Sequence, residues 1–452
     1  MTKNIKIRDS VVALFTYQDA IFIIERQPYL KAFPGYHSFP GGKVDSNESE
    51  QNYDCKFLRD HDPRLVRALC REIREEVNFD LEDAIEANQV RNISDFGFAI
   101  TPEFNPLRFH ARFFKIELRS RIDFEVDPNE AAWAGWLTAK EYMQKYQQGK
   151  ILSPFPGLCA MRALAENPNV QNIGSMHLQY DQETEVPLME PVFQLVQMPV
   201  KSNTLPPAER TNAFIVGDSQ NGCYLIDPSP SSRLELEKLS QVLSRFKVTG
   251  IFLTHHHRDH HQYATDLART LQVPMKMSED SYQRIRLKFG DSYFENITVQ
   301  FSREGEVLTQ WIGKDVLVFE IPGHDEGQLG LAPASMEWFI VGDLIQGIGT
   351  VVISEPEGDM KKYFASLEKV IELNPNIIIP SHGIPMKSTL RLKETLEHRL
   401  MREKQILQHH KNGKSNEEIL SAIYQSIDPR LLPAAMKNIE SHLTKLKLDQ
   451  LI

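Results

Sequence analysis

The stretch Thr254-His255-His256-His257-Arg258-Asp259-His260-His261 packs five imidazoles and two kinds of ligand atom into one short segment. Imidazole nitrogen and carboxylate oxygen both bind borderline divalent metals such as zinc. A histidine-rich surface loop looks similar, so the segment needs matching ligands elsewhere. His324, Asp343 and His382 supply them, and each sits just after an apolar run. A second group is chemically different. In Arg71-Glu72-Ile73-Arg74-Glu75-Glu76-Val77, Glu72 lies three and four positions before Glu75 and Glu76, so three carboxylates can share one helix face. Such crowding costs about 0.2–0.5 kcal/mol per exposed pair. A hard cation such as Mg²⁺ removes that cost. In isolation, the same run is equally well a solvated acidic face.

The elements around these residues decide which reading holds. Ile251-Phe252-Leu253 reads as the end of a buried strand, and residues 262–268 read as an amphipathic helix. The histidine cluster therefore occupies a strand-to-helix turn. The runs before His324, Asp343 and His382 are also apolar and strand-like. Strand-end loops at one edge of a sandwich can converge on one point, whereas mid-strand residues cannot. Residues 10–15 and 20–24 form a hairpin pattern, and a turn-rich stretch at 33–45 precedes Glu48. Further strands are expected at 192–196, 212–216 and 223–227, and a helix at 360–373. Near the C-terminus, helices are expected at 394–407 and 434–446, with a capping box at Ser415 and Glu418 and a short strand or tail at 446–449.

The 452 residues suit two to four domains, and 41% hydrophobic with 25% charged residues is ordinary for a globular chain. No apolar run approaches the roughly 18 residues of a membrane span. The first residues lack the apolar core of a secretory signal. Cys55, Cys70, Cys159 and Cys223 are widely spaced and read as ordinary thiols of a reducing compartment, so a cytoplasmic protein is expected. The net charge of −10 argues against a surface that coats nucleic acid, though not against a local basic groove.

With the residues in view, two family resemblances emerge. Gly42, Glu48 and 71–79 resemble the Nudix box, Gly-x5-Glu-x7-Arg-Glu-φ-x-Glu-Glu-x-Gly-φ. The chain departs from it twice: 22 residues separate Glu48 from Arg71, and Asn78 replaces a glycine. The stretches 101–114, 130–137 and 148–156 are similar to the coenzyme A diphosphatase group of that family. The resemblance implies that Glu72, Glu75 and Glu76 hold Mg²⁺ or Mn²⁺ on a diphosphate of nucleotide or coenzyme A type. It places Glu75 and Glu48 in the catalytic set, with Glu75 orienting or deprotonating water and Arg71 pairing with Glu48. Glu130 is either an extra acid from a distant loop or a solvated turn carboxylate.

The second resemblance covers residues 190–400. His-x-His-x-Asp-His followed by single His, Asp and His is similar to the metallo-β-lactamase superfamily. It implies one Zn²⁺ on His255, His257 and His324, a second on Asp259, His260 and His382, and Asp343 bridging them. The implied nucleophile is a metal-bound hydroxide, with Asp259 as proton acceptor. His256 and His261 fall outside the motif and are expected to be non-ligands. Among branches, the chain most resembles the lactamase-β-2-like endoribonucleases, with glyoxalase II or another thioesterase as the competitor. Lys411, Lys414, Arg430, Lys437, Lys445 and Lys447 either touch RNA phosphates or form a solvated face.

The resulting expectation is a multi-domain α/β and α+β chain. A Nudix α/β/α sandwich spans 1–185, a metallo-β-lactamase αββα sandwich 186–390, and a winged-helix-like module 391–452. It would be a two-site metal-dependent hydrolase. Its zinc site would act on single-stranded RNA or, alternatively, a thioester, and its Nudix domain would be either a diphosphatase or a regulatory binding module. No membrane partner is expected.

Overall fold

A computed structural model describes residues 7–48, 56–105, 107–218, 220–425 and 428–452. Cys55, Pro106 and residues 49–55 of the long spacing between Glu48 and Arg71 lie outside the described residues. The chain divides into two compact units, Met1–Tyr180 with Met189–Phe193, and Asp181–Leu188 with Gln194–Ile452. Residues 391–452 fall within the second unit.

The first unit contains β1 (Arg8–Tyr17), β2 (Ala20–Arg26), β3 (His37–Ser38), α1 (Pro63–Val77), α2 (Leu81–Glu86), β4 (Val90–Ile100), β5 (Phe109–Leu118), β6 (Ala131–Thr138), α3 (Ala139–Gln147), α4 (Phe155–Glu166) and β7 (Met189–Val192). Its sheet runs β3-β2-β1-β5-β4, with β6 also paired to β2. Successive β1 side chains alternate between faces. Val11, Ala13 and Phe15 pack with Leu69, Ile73 and Val77 of α1. Leu14 packs with Tyr142 and Tyr146 of α3 and Leu158 of α4. The sheet thus lies between two helical layers. Asp62 caps α1 by accepting from the Arg64 N–H, Pro63 opens its first turn, and Asn78 ends it at φ 47°, ψ 45°. Asn tolerates this left-handed conformation.

The second unit begins with β8 (Leu195–Lys201), β9 (Arg210–Asp218), β10 (Gly222–Ile226), α5 (Arg233–Leu243) and β11 (Gly250–Phe252). Next come α6 (Arg258–His261), α7 (Ala264–Leu271), β12 (Met275–Met277), α8 (Glu279–Phe289) and β13 (Val299–Phe301). These strands form a sheet in the order β13-β12-β11-β10-β9-β8. A second sheet comprises β14 (Val307–Trp311), β15 (Lys314–Glu320), β16 (Leu329–Pro333), β17 (Trp338–Ile340), β18 (Ile377–Ile379) and β19 (Met386–Lys387), in that order, with α9 (Met360–Leu373) between β17 and β18 in the chain. The unit ends with α10 (Leu390–Lys411), α11 (Asn416–Ile423) and α12 (Leu432–Leu448).

Period two explains the layering. Ala213, Leu225 and Ile251 pack against Leu239, Leu267 and Ile285 of α5, α7 and α8. Phe319, Phe339 and Ile378 pack against Tyr363 and Leu367 of α9. The intervening residues Phe214, Ile226 and Phe252 of one sheet, and Val318, Leu331 and Trp338 of the other, are also buried. Each sheet therefore has a helix-covered face and a second buried face, and the two second faces form the interior of an αββα sandwich.

Several elements differ from expectation. The 192–196 run is not one strand, because Gln194 has φ 55° between β7 and β8. The helix expected at 262–268 starts only at Ala264, as α7, because Tyr263 has φ 62°, and a separate short helix, α6, precedes it. The strand or tail expected at 446–449 is instead the end of α12. The capping box at Ser415 and Glu418 is formed in both directions. Among the described residues no helix is long and apolar enough to cross a membrane.

Candidate functional site

The second unit brings all seven histidine and aspartate candidates together. β11, β15, β17 and β18 end just before the segments that carry His255, His324, Asp343 and His382. The first three donors meet closely: His255 Nε2 is 3.0 Å from His257 Nδ1, and His324 Nε2 is 2.9 Å from that same atom. Donors on a tetrahedral zinc, about 2.05 Å from the metal, lie about 3.3 Å apart. The second group is looser. His382 Nε2 lies 3.4 Å from Asp343 Oδ1 and 3.5 Å from Asp259 Oδ2. His260 Nε2 lies 3.8 Å from Asp343 Oδ1 and 3.9 Å from Asp259 Oδ2. The other Asp343 oxygen, Oδ2, faces His324 Nε2 at 3.7 Å, so this carboxylate spans both groups.

Outer hydrogen bonds decide which ring nitrogens can bind a cation. His324 Nδ1 faces the Val352 carbonyl and His382 Nδ1 the Arg210 carbonyl, both at 2.9 Å. A carbonyl only accepts, so each Nδ1 carries the proton and each Nε2 presents its lone pair inward. His260 Nδ1–H donates to Asp227 Oδ2 at 2.8 Å. The Thr254 hydroxyl donates to that same carboxylate at 2.6 Å, which leaves its oxygen to accept from His255 Nδ1–H at 3.0 Å. His257 Nε2–H donates to Glu357 at 3.2 Å. Five ring nitrogens thus converge with two carboxylates, each free to present a lone pair when its imidazole is neutral. His260 Nε2, His382 Nε2 and Asp343 Oδ1 are buried without a hydrogen-bond partner. Buried orphans of this kind are costly, and a divalent cation satisfies all three. The residues therefore fit a metal pair.

The electrostatics agree. Burial, reinforced by His260 and His257, holds His255 well below the usual imidazole range, and burial with His257 lowers His324 to about 4. Both stay neutral, as ligands must. Burial also opposes charge on His260, but Asp227, Asp259 and Asp343 outweigh it and raise that histidine well above its usual range. The carboxylates here call for positive charge, from protons or from metal.

His261 is a bystander: its Nδ1 meets the Tyr293 hydroxyl at 2.7 Å. His256, expected to be a non-ligand, is not isolated: it, His257 and Asp325 offer donor atoms within 4.8 Å of one another. It pairs with fully buried Asp325 and lies 3.4 Å from Glu357, which also holds His257. Burial works against its charge, yet Asp325 and Glu357 lift His256 to about 9. Sequence reasoning assigned no role to Asp227, Asp325 or Glu357. Asp227 carried a signal, since it ends a strand just as the ligands do. Glu357 carried none, lying 100 residues from His257 in an irregular loop.

In the first unit, Arg71 organises the carboxylates. It bonds Glu48 at 3.0 Å, Glu72 at 2.8 Å, Glu75 at 3.1 Å and the Lys43 carbonyl at 2.9 Å. At Gly42 a Cβ would fall 2.3 Å from the Glu72 carboxyl carbon, so a larger residue there would displace that carboxylate. Glu76 turns inward, accepts from the Gly41 N–H at 2.8 Å, and is raised by burial to about 8. Glu75 is exposed. Among the described residues these carboxylates do not gather into a three-donor group; such groups occur only around the histidine cluster. Glu130 lies 3.8 Å from Arg26. In the C-terminal segment, Lys445 is bonded to Glu403 and Asp449, both at 2.8 Å, and exposed Arg430 to Asp428 at 2.7 Å, so two of the six basic candidates are paired with acids.

Comparison with known proteins agrees with this geometry. The metallo-β-lactamase superfamily matches residues 206–382, and the β-lactamase-associated winged helix domain matches residues 415–452. A β-lactamase-like protein 2 homologue of Drosophila melanogaster is 27% identical over 255 residues, 53% of this chain and 82% of that protein. A hydroxyacylglutathione hydrolase of Wigglesworthia glossinidia brevipalpis is 27% identical over 168 residues, 37% of this chain and 58% of the relative. The crystal structure of a β-lactamase domain protein from Burkholderia ambifaria has the same fold, with a TM-score of 0.51 at 19% identity, covering 60% of this chain and 90% of that one. The second unit thus carries a metallo-β-lactamase superfamily domain followed by a β-lactamase-associated winged helix, and the chain is a hydrolase of that fold.

Proposed function

We propose that the second unit is a dimetal hydrolase of small acyl thioesters. The carrying observation is the set of inward lone pairs and orphaned donors on seven residues. His255, His257 and His324 would hold one ion and Asp259, His260 and His382 the other, with Asp343 within reach of both groups. Imidazole with carboxylate suits zinc. When bound, such ions acidify a water and polarise a scissile carbonyl. His260 and His382 are sealed from solvent, while Asp259 and His257 are partly open, at 19% and 25% side-chain exposure. Substrate therefore approaches past Asp259, whose free carboxylate edge can take a proton and return it to the leaving thiolate.

A thioester is favoured over RNA on two grounds. The Wigglesworthia relative is named for an acyl-glutathione substrate. Lys445 is held in a largely buried pair with Glu403, which weakens the case for a phosphate-binding surface there. The winged-helix match keeps phosphodiester cleavage of single-stranded RNA as the second reading. Assaying the full chain on acyl-glutathione, acyl-coenzyme A and single-stranded RNA separates the two. Thioester turnover lost in Asp259→Ala is the expected result. RNA cleavage without thioester turnover overturns the ranking.

The first unit is proposed as a Nudix diphosphatase for nucleotide or coenzyme A diphosphates. Support comes from the Arg71–Glu48 pair and from the Gly42 position that admits Glu72. In this reading Glu72, Glu75 and Glu76 would be the residues that hold Mg²⁺ or Mn²⁺, with Glu72 and Glu75 exchanging their bonds to Arg71 for the cation. Mg²⁺-dependent phosphate-ester release by the full chain, lost in Glu76→Gln and kept in Asp259→Ala, is the expected result. Its absence across nucleotide and coenzyme A diphosphates would leave a regulatory ligand-binding module.

A further inference from the structure

The ring of His324 is fixed by a backbone carbonyl, Val352 O, at 2.9 Å. That carbonyl lies in a segment without helix or strand. Its orientation must therefore come from whatever holds residues 351 and 353. Both holders are in the C-terminal helices. Arg399 of α10 donates through Nη2 to the Val351 carbonyl. Asn438 of α12 accepts the Ile353 N–H through Oδ1 at 2.9 Å. Arg399 and Asn438 are both buried polar residues, at 4% and 6% exposure, so neither bond is a casual surface contact. The two bonds bracket Val352 in sequence and point its carbonyl at His324.

A second path leads from the same arginine. The Arg399 guanidinium lies over the Tyr363 ring, 5.7 Å from its centre, and the Tyr363 hydroxyl donates to the Leu344 carbonyl at 2.8 Å. Leu344 directly follows Asp343. The two helices are themselves clamped: buried Glu403 of α10 accepts from His442 Nδ1 at 3.1 Å and from Lys445 at 2.8 Å, both on α12. Arg399 and Asn438 are thus set in register with each other. A surface appendage would have no need of a buried ionic clamp, or of bonds to main-chain atoms beside a ligand.

We infer that the C-terminal helices position the metal centre, with Asn438 and Arg399 holding the 351–353 strap so that Val352 O fixes His324. The inference rests on the dimetal reading. Asn438 is the sharper probe, because leucine keeps its branched shape and removes the acceptor, whereas aspartate restores an acceptor.

The experiment uses the full chain loaded with Co²⁺ and with Zn²⁺. Metal affinity is measured by competition with a chelator, and ligand geometry by the Co²⁺ d–d spectrum. Loss of an outer hydrogen-bond partner typically weakens metal binding about 10–100-fold. Asn438→Leu is expected to weaken one of the two ions about tenfold or more and to change the Co²⁺ spectrum. Asn438→Asp should recover both, and the exposed neighbour change Glu440→Ala should alter neither. Asn438→Ser, too short to reach the Ile353 N–H, is read the same way if the leucine variant does not fold. A folded Asn438→Leu or Asn438→Ser protein with lower Tm but unchanged affinity and spectrum overturns the inference. Wild-type protein that binds no metal fails the dimetal reading instead, so the two failures are distinguishable.

Discussion

Asp227→Asn is the most discriminating perturbation of the second metal position. The Asp227 carboxylate is buried at 1% exposure and receives three donors: Thr254 N–H at 2.8 Å, the Thr254 hydroxyl at 2.6 Å and His260 Nδ1–H at 2.8 Å. Asparagine has nearly the same shape but only one acceptor oxygen. With that oxygen kept toward Thr254 N, its amide N–H₂ faces His260 Nδ1. His260 must then accept at Nδ1 and carry its proton at Nε2, where the lone pair is needed. The alternative orientation sets the amide against the Thr254 N–H, donor against donor. Losing a charged acceptor costs about 1.5–3 kcal/mol of stability. The wrong tautomer costs about 10–100-fold in affinity for one ion, or about 1.4–2.7 kcal/mol. Chelator competition on folded protein measures the second quantity and thermal unfolding the first. A folded variant with a lowered Tm and affinity within twofold of wild type would refute the tautomer argument.

Other expectations follow from the same geometry. Glu357→Ala removes the partner of His257 Nε2 and should weaken metal binding about tenfold, whereas His261→Asn, which changes contacts with Tyr293 and Phe289, should leave metal content intact. In the first unit, burial raises Glu76 from 4.5 to about 8. The folded state then holds a proton that the unfolded chain has lost. The stability from this group is full below about pH 4.5 and declines as pH rises toward 8, by at most about 5 kcal/mol. Without metal, Glu76→Gln should flatten that decline in a pH series of Tm values; an unchanged slope would contradict the assignment.

Much of the second site was legible because its ligands are encoded in two ways at once. Residue type names the chemistry, and position after an apolar run places each residue at the same sheet edge. His255, His257, Asp259, His260, His324, Asp343 and His382 carried both signals. Their supports did not. Val352 and Arg210 act through carbonyls, which every residue possesses. Glu357 and Asp325 reach His256 and His257 only through folding. The α6–α7 break at Tyr263 was hidden because positive φ is rare for tyrosine and leaves no compositional mark. In the first unit, the helical spacing of Glu72, Glu75 and Glu76 was legible, but spacing could not reveal that Arg71 occupies the space between Glu72 and Glu75.

The central claim concerns metal, and elemental analysis of purified full-length protein tests it most directly. The seven-donor arrangement predicts two divalent ions per chain, zinc foremost, with loss of at least one in Asp259→Ala and in Asp343→Ala. Wild-type protein without bound metal after exposure to Zn²⁺, or full occupancy retained in folded Asp343→Ala, would contradict it.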